Sequence, residues 1–344
     1  MRMLRYIHLL LVIGLLCSSC EHKDFCYYHP HNAKVRLNVD WSNFTVELPT
    51  GMTVLVYNAD GEIHNTMLSN NTSYVDLMIR AGQYKAIVFN QSQTEFGTLS
   101  FRGLDRFSTA EIQARPSRSQ WYTRLDETRV VSELEWVGTD KQEDIIVTQS
   151  MVDETVDEQQ RTYTRSTSTT RTVIGELAPK NIIHTVKVRV HIKNIYNMLS
   201  ARASLGGLAE GYLLGLARPS QNKVVQLLEE WTMTQDEVDP TQGVIESTIT
   251  CFGLPHGHQG LAEENLFELQ LLLVDKKTIV TYPFRVGDKF ERDIEESVGI
   301  ELELHLELTV DEPLPDVEPA GGSGGGFSAD VEDWGPEEDI DIQM

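Results

Sequence analysis

The chain of 344 residues has few cysteines and lacks long apolar runs. Its cysteines are Cys17, Cys20, Cys26 and Cys251. So few thiols exclude a small scaffold stabilised by several disulfides. No segment reaches the roughly 20 consecutive apolar residues that a membrane-spanning helix needs. The sequence therefore predicts a mature protein without a transmembrane helix.

Basic residues are scarce as well. There are 29 Lys and Arg against 52 Asp and Glu, which gives a formal net charge of -23. Residues 293–344 contain 17 acids and neither Lys nor Arg. A polyanion or an anionic lipid surface would be repelled by such a chain. Nucleic acid is therefore excluded as an expected partner.

Motifs of catalysis are absent from the sequence. There is no HExxH, no Walker A loop and no dinucleotide fingerprint. Gly321–Gly325 satisfies GxSxG, but no strand precedes it and no helix follows it, so it is interpreted as a linker. No catalytic residue and no cofactor is predicted, and the chain is not expected to be an enzyme.

Two short segments contain residue types that can bind zinc. They are Cys26 with His29 and His31, and Cys251 with His256 and His258. Neither has the short paired spacing of a zinc motif, so both are interpreted as loops without a metal. Cys26 and Cys251 remain a candidate disulfide, because sequence cannot give the distance between them.

The N-terminus has the charged, apolar and small-residue order of a secretory signal. Arg2 and Arg5 precede the apolar run Ile7–Leu16, and two serines follow. Leu16–Cys20 resembles the bacterial lipobox, in which the last cysteine is acylated and becomes the first residue after cleavage. Cys20 is therefore the predicted lipidation site. The alternative is an ordinary secretory signal cleaved nearby.

Period-two alternation dominates the remaining sequence and is typical of half-buried strands. Val186–Ile192 alternates with basic residues, and Ile300–Val310 alternates mainly with glutamates. If these two strands are neighbours, Lys–Glu pairs would fix their register at roughly 0.2 to 1 kcal/mol each.

Weaker strand patterns occur in both halves of the chain. They are Val35–Trp41, Met52–Tyr57, Tyr74–Leu77, Tyr84–Phe89, Val224–Thr234, Val244–Phe252, Leu266–Val274 and Thr278–Arg285. A hairpin is expected at Arg80–Tyr84, with Gly82 at positive φ, and a turn at Asp275–Lys277. Helical turns are expected only within Lys193–Ala203 and Ser108–Gln113.

The pattern predicts an all-β protein of two tandem β-sandwich domains. The expected segments are a signal peptide at 1–19, a lipidated tether at 20–32, an N-terminal domain at 33–175, a C-terminal domain at 176–318, and a Gly-rich linker with an acidic tail at 319–344.

Several segments resemble a family of uncharacterised Bacteroidales lipoproteins that are similar to the fimbrillin-type subunits of type V pili. They are Cys26–His31 followed by Val35–Trp41, Ala81–Tyr84, and the Gly-rich segment that ends in Val331–Trp334. The resemblance implies transthyretin-like, Greek-key sandwich domains. Glu21–Asp24 resembles the charged signal that sends such lipoproteins to the outer surface, which implies an outer-membrane, surface-exposed location.

The resemblance also implies a role for the acidic tail, because type V pilus subunits assemble by adding a C-terminal strand to a neighbour. Half-apolar alternation marks the candidate strand-donating residues Phe327, Ala329, Val331, Ile340 and Ile342. The alternatives are a disordered acidic tail or strands that complete the parent domain.

Two classes of function follow. The first is a structural, anchor or adhesive subunit of a pilus-like assembly, whose partners are the membrane, through the lipid, and other subunits. The second is a glycan-binding surface lipoprotein of a polysaccharide-uptake system, for which Trp121, Tyr122 and Trp231 are candidate stacking platforms. Core packing explains those aromatics equally well.

Overall fold

A computed structural model describes residues 32–117, 130–154, 171–295 and 300–320. These residues form 22 strands. The strands are β1 Ala33–Val39, β2 Met52–Asn58, β3 Ile63–Ser69, β4 Tyr74–Ile79, β5 Gly82–Asn90, β6 Leu99–Arg102, β7 Glu111–Ala114, β8 Val130–Val131, β9 Gly138–Val147, β10 Thr172–Leu177, β11 Lys180–Asn181, β12 His184–Lys193, β13 Met198–Ala209, β14 Gly211–Leu213, β15 Arg218–Pro219, β16 Lys223–Leu228, β17 Thr232–Gln235, β18 Gln242–Cys251, β19 Leu266–Leu273, β20 Ile279–Arg285, β21 Glu291–Glu295 and β22 Ile300–Thr309. Short 3-10 turns occur at Trp41–Asn43, Phe107–Thr109, Ile195–Asn197 and Ala262–Glu264.

The alternating segments form one five-stranded sheet of order β17-β18-β12-β22-β21. On β12 the apolar side chains Val186, Val188 and Val190 are fully buried, while the residues between them face outward. Strand β22 buries Leu304 and Leu306 in the same way. Each strand thus places one face in the core, as period two requires.

The two strands, for which the sequence left the pairing open, are neighbours in the structure. They pair in parallel, with Lys187 opposite His305. The Lys187 ammonium group donates to both carboxylate oxygens of Glu303, which lies two residues before His305 on β22, at 3.0 and 2.9 Å. The opposite charges of the two outward faces therefore meet across the strand pair.

A second sheet has the order β20-β19-β13-β16-β8. Strands β19 and β20 form the expected hairpin around Asp275, whose carboxylate accepts hydrogen bonds from the Lys277 and Thr278 amides at 3.1 and 2.9 Å. The Thr278 hydroxyl and these amides hold the pKa of Asp275 below its ordinary value. The turn prediction is confirmed.

Three further sheets complete the described chain, with the orders β11-β9-β5-β2-β3, β10-β1-β4 and β15-β14-β7-β6. Two strand pairings, one in the last of these sheets and one in the second sheet, join segments far apart in sequence. Strand β14 pairs with β7, placing Gly211 opposite Gln113, and β16 pairs with β8. These contacts interleave the two halves of the chain.

The predicted hairpin at Arg80–Tyr84 is wrong. Strands β4 and β5 belong to different sheets, and β5 pairs instead with β2. Gly82 is the first residue of β5 and is not among the residues at positive φ. The short connection leads from one sheet to another, because the hydrogen-bond partners of β5 are β2 and β9 and not β4.

The two helix predictions are corrected as well. Of Lys193–Ala203, only Ile195–Asn197 forms a 3-10 turn, and β13 follows it directly. Glu111, the expected capping-box residue, lies in β7 and is paired with Arg102 of β6 at 2.8 Å. A cross-strand ion pair takes the place of the local cap.

The all-β class is confirmed. The chain divides into a larger compact unit of Arg36–Asp76, Gly82–Ile146 and Val173–Met344 and a smaller one of Met1–Val35, Leu77–Ala81 and Val147–Thr172. Within the larger unit, one hydrophobic cluster contains residues from both sides of residue 175, from Leu55 to Leu314. The two tandem sandwich domains, with their boundary at 175, stay a prediction.

Candidate functional site

The predicted attachment residues lie outside the described part of the chain. These are Cys20, Cys26, and the tail residues Phe327, Ala329, Val331, Ile340 and Ile342. Lipidation, the candidate disulfide and strand donation therefore stay predictions. Among the described residues, no helix has the length and apolarity to cross a bilayer.

The described chain ends in a segment that is fixed to the body before the tail begins. After β22, the Asp316 carboxylate accepts hydrogen bonds from the Tyr196 hydroxyl at 3.1 Å and the Asn197 amide at 2.9 Å. The Ala320 N–H donates to the Val274 carbonyl at 3.0 Å, just beyond the end of β19. Ala320, the last described residue, is therefore fixed beside the end of β19.

Cys251 ends β18 and lies opposite His184 on β12. The cysteine is buried, and its Sγ accepts a hydrogen bond from the Gly253 amide at 3.2 Å. Burial lowers the pKa of His184 to about 4, and its Nδ1 has no hydrogen-bond partner in the described chain. A neutral imidazole beside a buried thiol is typical of packing rather than of an acid–base site.

The two histidines after Cys251 are used by the loop that carries them. His256 Nε2 accepts from the Arg218 guanidinium at 2.9 Å. His258 contacts the Asn265 side-chain oxygen at 2.8 Å and accepts from the Gly260 amide. No group of three metal-type ligands occurs within the described ranges.

Trp231 packs on the core. Its ring centroid lies 6.4 Å from that of Phe267, and its indole N–H donates to the Leu228 carbonyl at 3.0 Å. Core packing, the alternative stated from the sequence, therefore accounts for this tryptophan. Trp121 and Tyr122 lie outside the described residues.

A cleft with a volume of about 410 Å³ lies on the outward face of the first sheet. Arg189, which lines it, pairs with Glu246 at 2.6 Å and contacts Glu307 at 3.8 Å. His191 also bonds to Glu307. Arg189 and His191 therefore bind the two glutamates across this polar surface.

Comparison with known proteins places the chain among proteins of Bacteroidales. A Bacteroides ovatus protein named "Putative fimbrium anchoring subunit Fim4B" is 21% identical over the full length of both chains. A Bacteroides ovatus crystal structure described as a "putative adhesin" has 14% identity and a TM-score of 0.55, covering 87% of this chain and 99% of its own. "The fimbrial anchor protein Mfa2" of Porphyromonas gingivalis has 11% identity and a TM-score of 0.45, covering 81% and 90%.

The adhesin structure supports the same all-β fold over most of the chain. The resemblance to a family of unknown function with fimbrial relatives, stated from the sequence, is confirmed. A family model described as "Domain of unknown function (DUF5119)" matches residues 19–229, which is more than half of the sequence. The chain therefore belongs to the DUF5119 family.

Proposed function

We propose that this protein is a lipid-anchored subunit that attaches a fimbrium to the bacterial outer surface. Its N-terminal end is fixed by acyl groups on Cys20, and Glu21–Asp24 directs it to the outer leaflet. The observation that carries the proposal is the alignment with a fimbrium anchoring subunit along the whole of both chains. An anchor needs one end in the membrane and the other in a partner.

A structural role, without enzymatic activity, is consistent with the described side chains. Charged groups in the cleft on the first sheet bind one another, as Arg189 does with Glu246. Buried His184 is held neutral at ordinary pH by its low pKa. Hydrogen bonds and packing within the protein account for these groups, so the proposed function depends on surfaces rather than on reactive side chains.

The proposed partner contact is the acidic tail. Leaving the body at Ala320, it carries the alternating residues Phe327, Ala329 and Val331, then Ile340 and Ile342. An extended segment of this kind can add to an open sheet in another subunit, where its backbone provides affinity and its apolar side chains provide register. The linker of glycines that follows Ala320 sets how far the tail can reach.

The test is co-purification of fimbrial subunits with the full chain from the native bacterium. Deleting residues 327–344 is expected to abolish it. Val331→Asp and Ile342→Asp are expected to weaken it, because each places a charge where the strand must be apolar. Ser328→Asp, on the opposite face of the same strand, is the matched control and is expected to have little effect. Unchanged recovery after the deletion would rule out the tail as the contact.

A further inference from the structure

Strand β3 is an open edge of its sheet. It is the last strand in the order β11-β9-β5-β2-β3 and pairs with β2 alone among the described strands. The Ile63 amide at its start is taken by the Asp105 carbonyl at 2.8 Å. From His64 to Leu68, the only main-chain partners within the described residues are those of β2. This stretch can accept a further strand.

The other described edge strands of five or more residues contain charged residues or proline, and β3 does not. Charged residues and proline on an edge strand discourage pairing with another chain. Among described edge strands of five or more residues, β4 and β10 contain one acid each, β21 is mostly charged, and β20 contains Pro283 and Arg285. Strand β3 reads Ile-His-Asn-Thr-Met-Leu-Ser, without proline and without Asp, Glu, Lys or Arg.

The side chains of β3 are consistent with a surface that is covered in an assembly. Leu68 is 64% exposed. Neither β2 nor β3 contains an acid, although the whole chain has a net charge of -23. The charge nearest in sequence, Glu62, is paired with Arg106 at 3.1 Å. Two copies of the chain can meet here without bringing carboxylates together.

We propose that β3 pairs antiparallel with β3 of a second copy of this chain. A two-fold axis at the centre of the strand places Thr66 opposite Thr66 and His64 opposite Leu68. Thr–Thr pairs are favourable across antiparallel strands, and the exposed Leu68 is covered by the partner. A two-fold contact is self-complementary and closes at a dimer. This surface is independent of the tail and of the anchoring function.

The test is sedimentation velocity of the purified full chain carrying Cys20→Ser, over a range of concentrations. A dimer is expected. Thr66→Lys places two ammonium groups opposite each other at the axis and is expected to raise the dissociation constant by about tenfold or more. Thr281→Lys, an exposed threonine on the protected edge β20, is the matched control and leaves the constant unchanged. Added salt should tighten the dimer, because it screens the repulsion between two acidic chains.

Hydrogen exchange locates the contact independently of any substitution. The amides of residues 64–68 should become protected as concentration rises, while those of β20 should not. A wild-type chain that stays monomeric at high concentration and high salt overturns the proposal. So does an equal effect of the two lysine substitutions, or capture of β3 by a different subunit while the chain alone remains monomeric.

Discussion

Lys187 and Glu303 are 116 residues apart in sequence and are joined by two hydrogen bonds, of 3.0 and 2.9 Å, across the parallel strands β12 and β22. Both side chains are partly exposed, at 44% and 38%, so water screens the attraction between them. The main contribution of this ion pair is to fix the register of the two strands. A shift by one residue would turn the buried valines of β12 outward.

The first prediction concerns this pair. A double-mutant cycle of Lys187→Ala and Glu303→Ala, measured by urea unfolding, is expected to give a coupling free energy of about 0.5 kcal/mol. Lys193 lies on the same face of β12, six residues further along, and supplies the control cycle with Glu303. If the coupling free energy between Lys187 and Glu303 is no larger than that between Lys193 and Glu303, the ion pair does not help to fix the register.

The second prediction compares two glycines of one loop, both at positive φ. Gly253 has φ of 77°, and a Cβ there would lie 2.9 Å from the His184 ring, whereas Gly257 has φ of 94° and nothing within 4 Å. Gly257→Ala should lower the free energy of unfolding by about 1 kcal/mol through backbone strain alone. Gly253→Ala should lower the free energy of unfolding by at least about 1 kcal/mol more, because the added Cβ also clashes with the His184 ring. Equal losses would show that the imidazole moves aside freely.

The third prediction is a dependence of stability on pH caused by His184. Its pKa falls from 6.5 to about 4 on folding because it is buried. Between these values the unfolded chain binds a proton that the folded chain does not, so stability is lost as the pH falls through this window. From about pH 7 to about pH 5, the free energy of unfolding should drop by about 2 kcal/mol from this group.

His184→Gln separates this effect from the protonation of carboxylates, which occurs mostly below that range. Urea unfolding at each pH should give a flatter profile for the variant, whatever its absolute stability. A slope between about pH 7 and pH 5 as steep as that of the wild type would assign the dependence to other groups.

Sequence alone identifies those strands that bury one face. Val186 to Ile192 and the leucines of β22 alternate strictly, and the opposite charges of their outward faces are compatible with the pairing that the structure shows. Strand β3 is not predicted, because both of its faces are largely exposed and no alternation marks it. The sequence feature that distinguishes β3 is its lack of charged residues. That feature indicates a pairing surface only once the strand is known to lie at the edge of a sheet.

Pairings between distant segments cannot be read from local patterns. Tyr84 and the residues after it form a strand as expected, yet β5 pairs with β2 and not with the adjacent β4. Glu111 has the spacing of a helix cap but bonds to Arg102 across a hairpin. The predicted attachment residue Cys20 is different, because a lipobox is recognised as an extended local motif and needs no folded context.

The most direct test of the anchoring account follows both this protein and the fimbrial polymer in cells that carry Cys20→Ser. The account predicts that both leave the membrane fraction and that polymer accumulates in the medium, whereas the wild type retains both on the cell. Polymer that remains attached at the wild-type level, with the altered protein still in the membrane fraction, would contradict it.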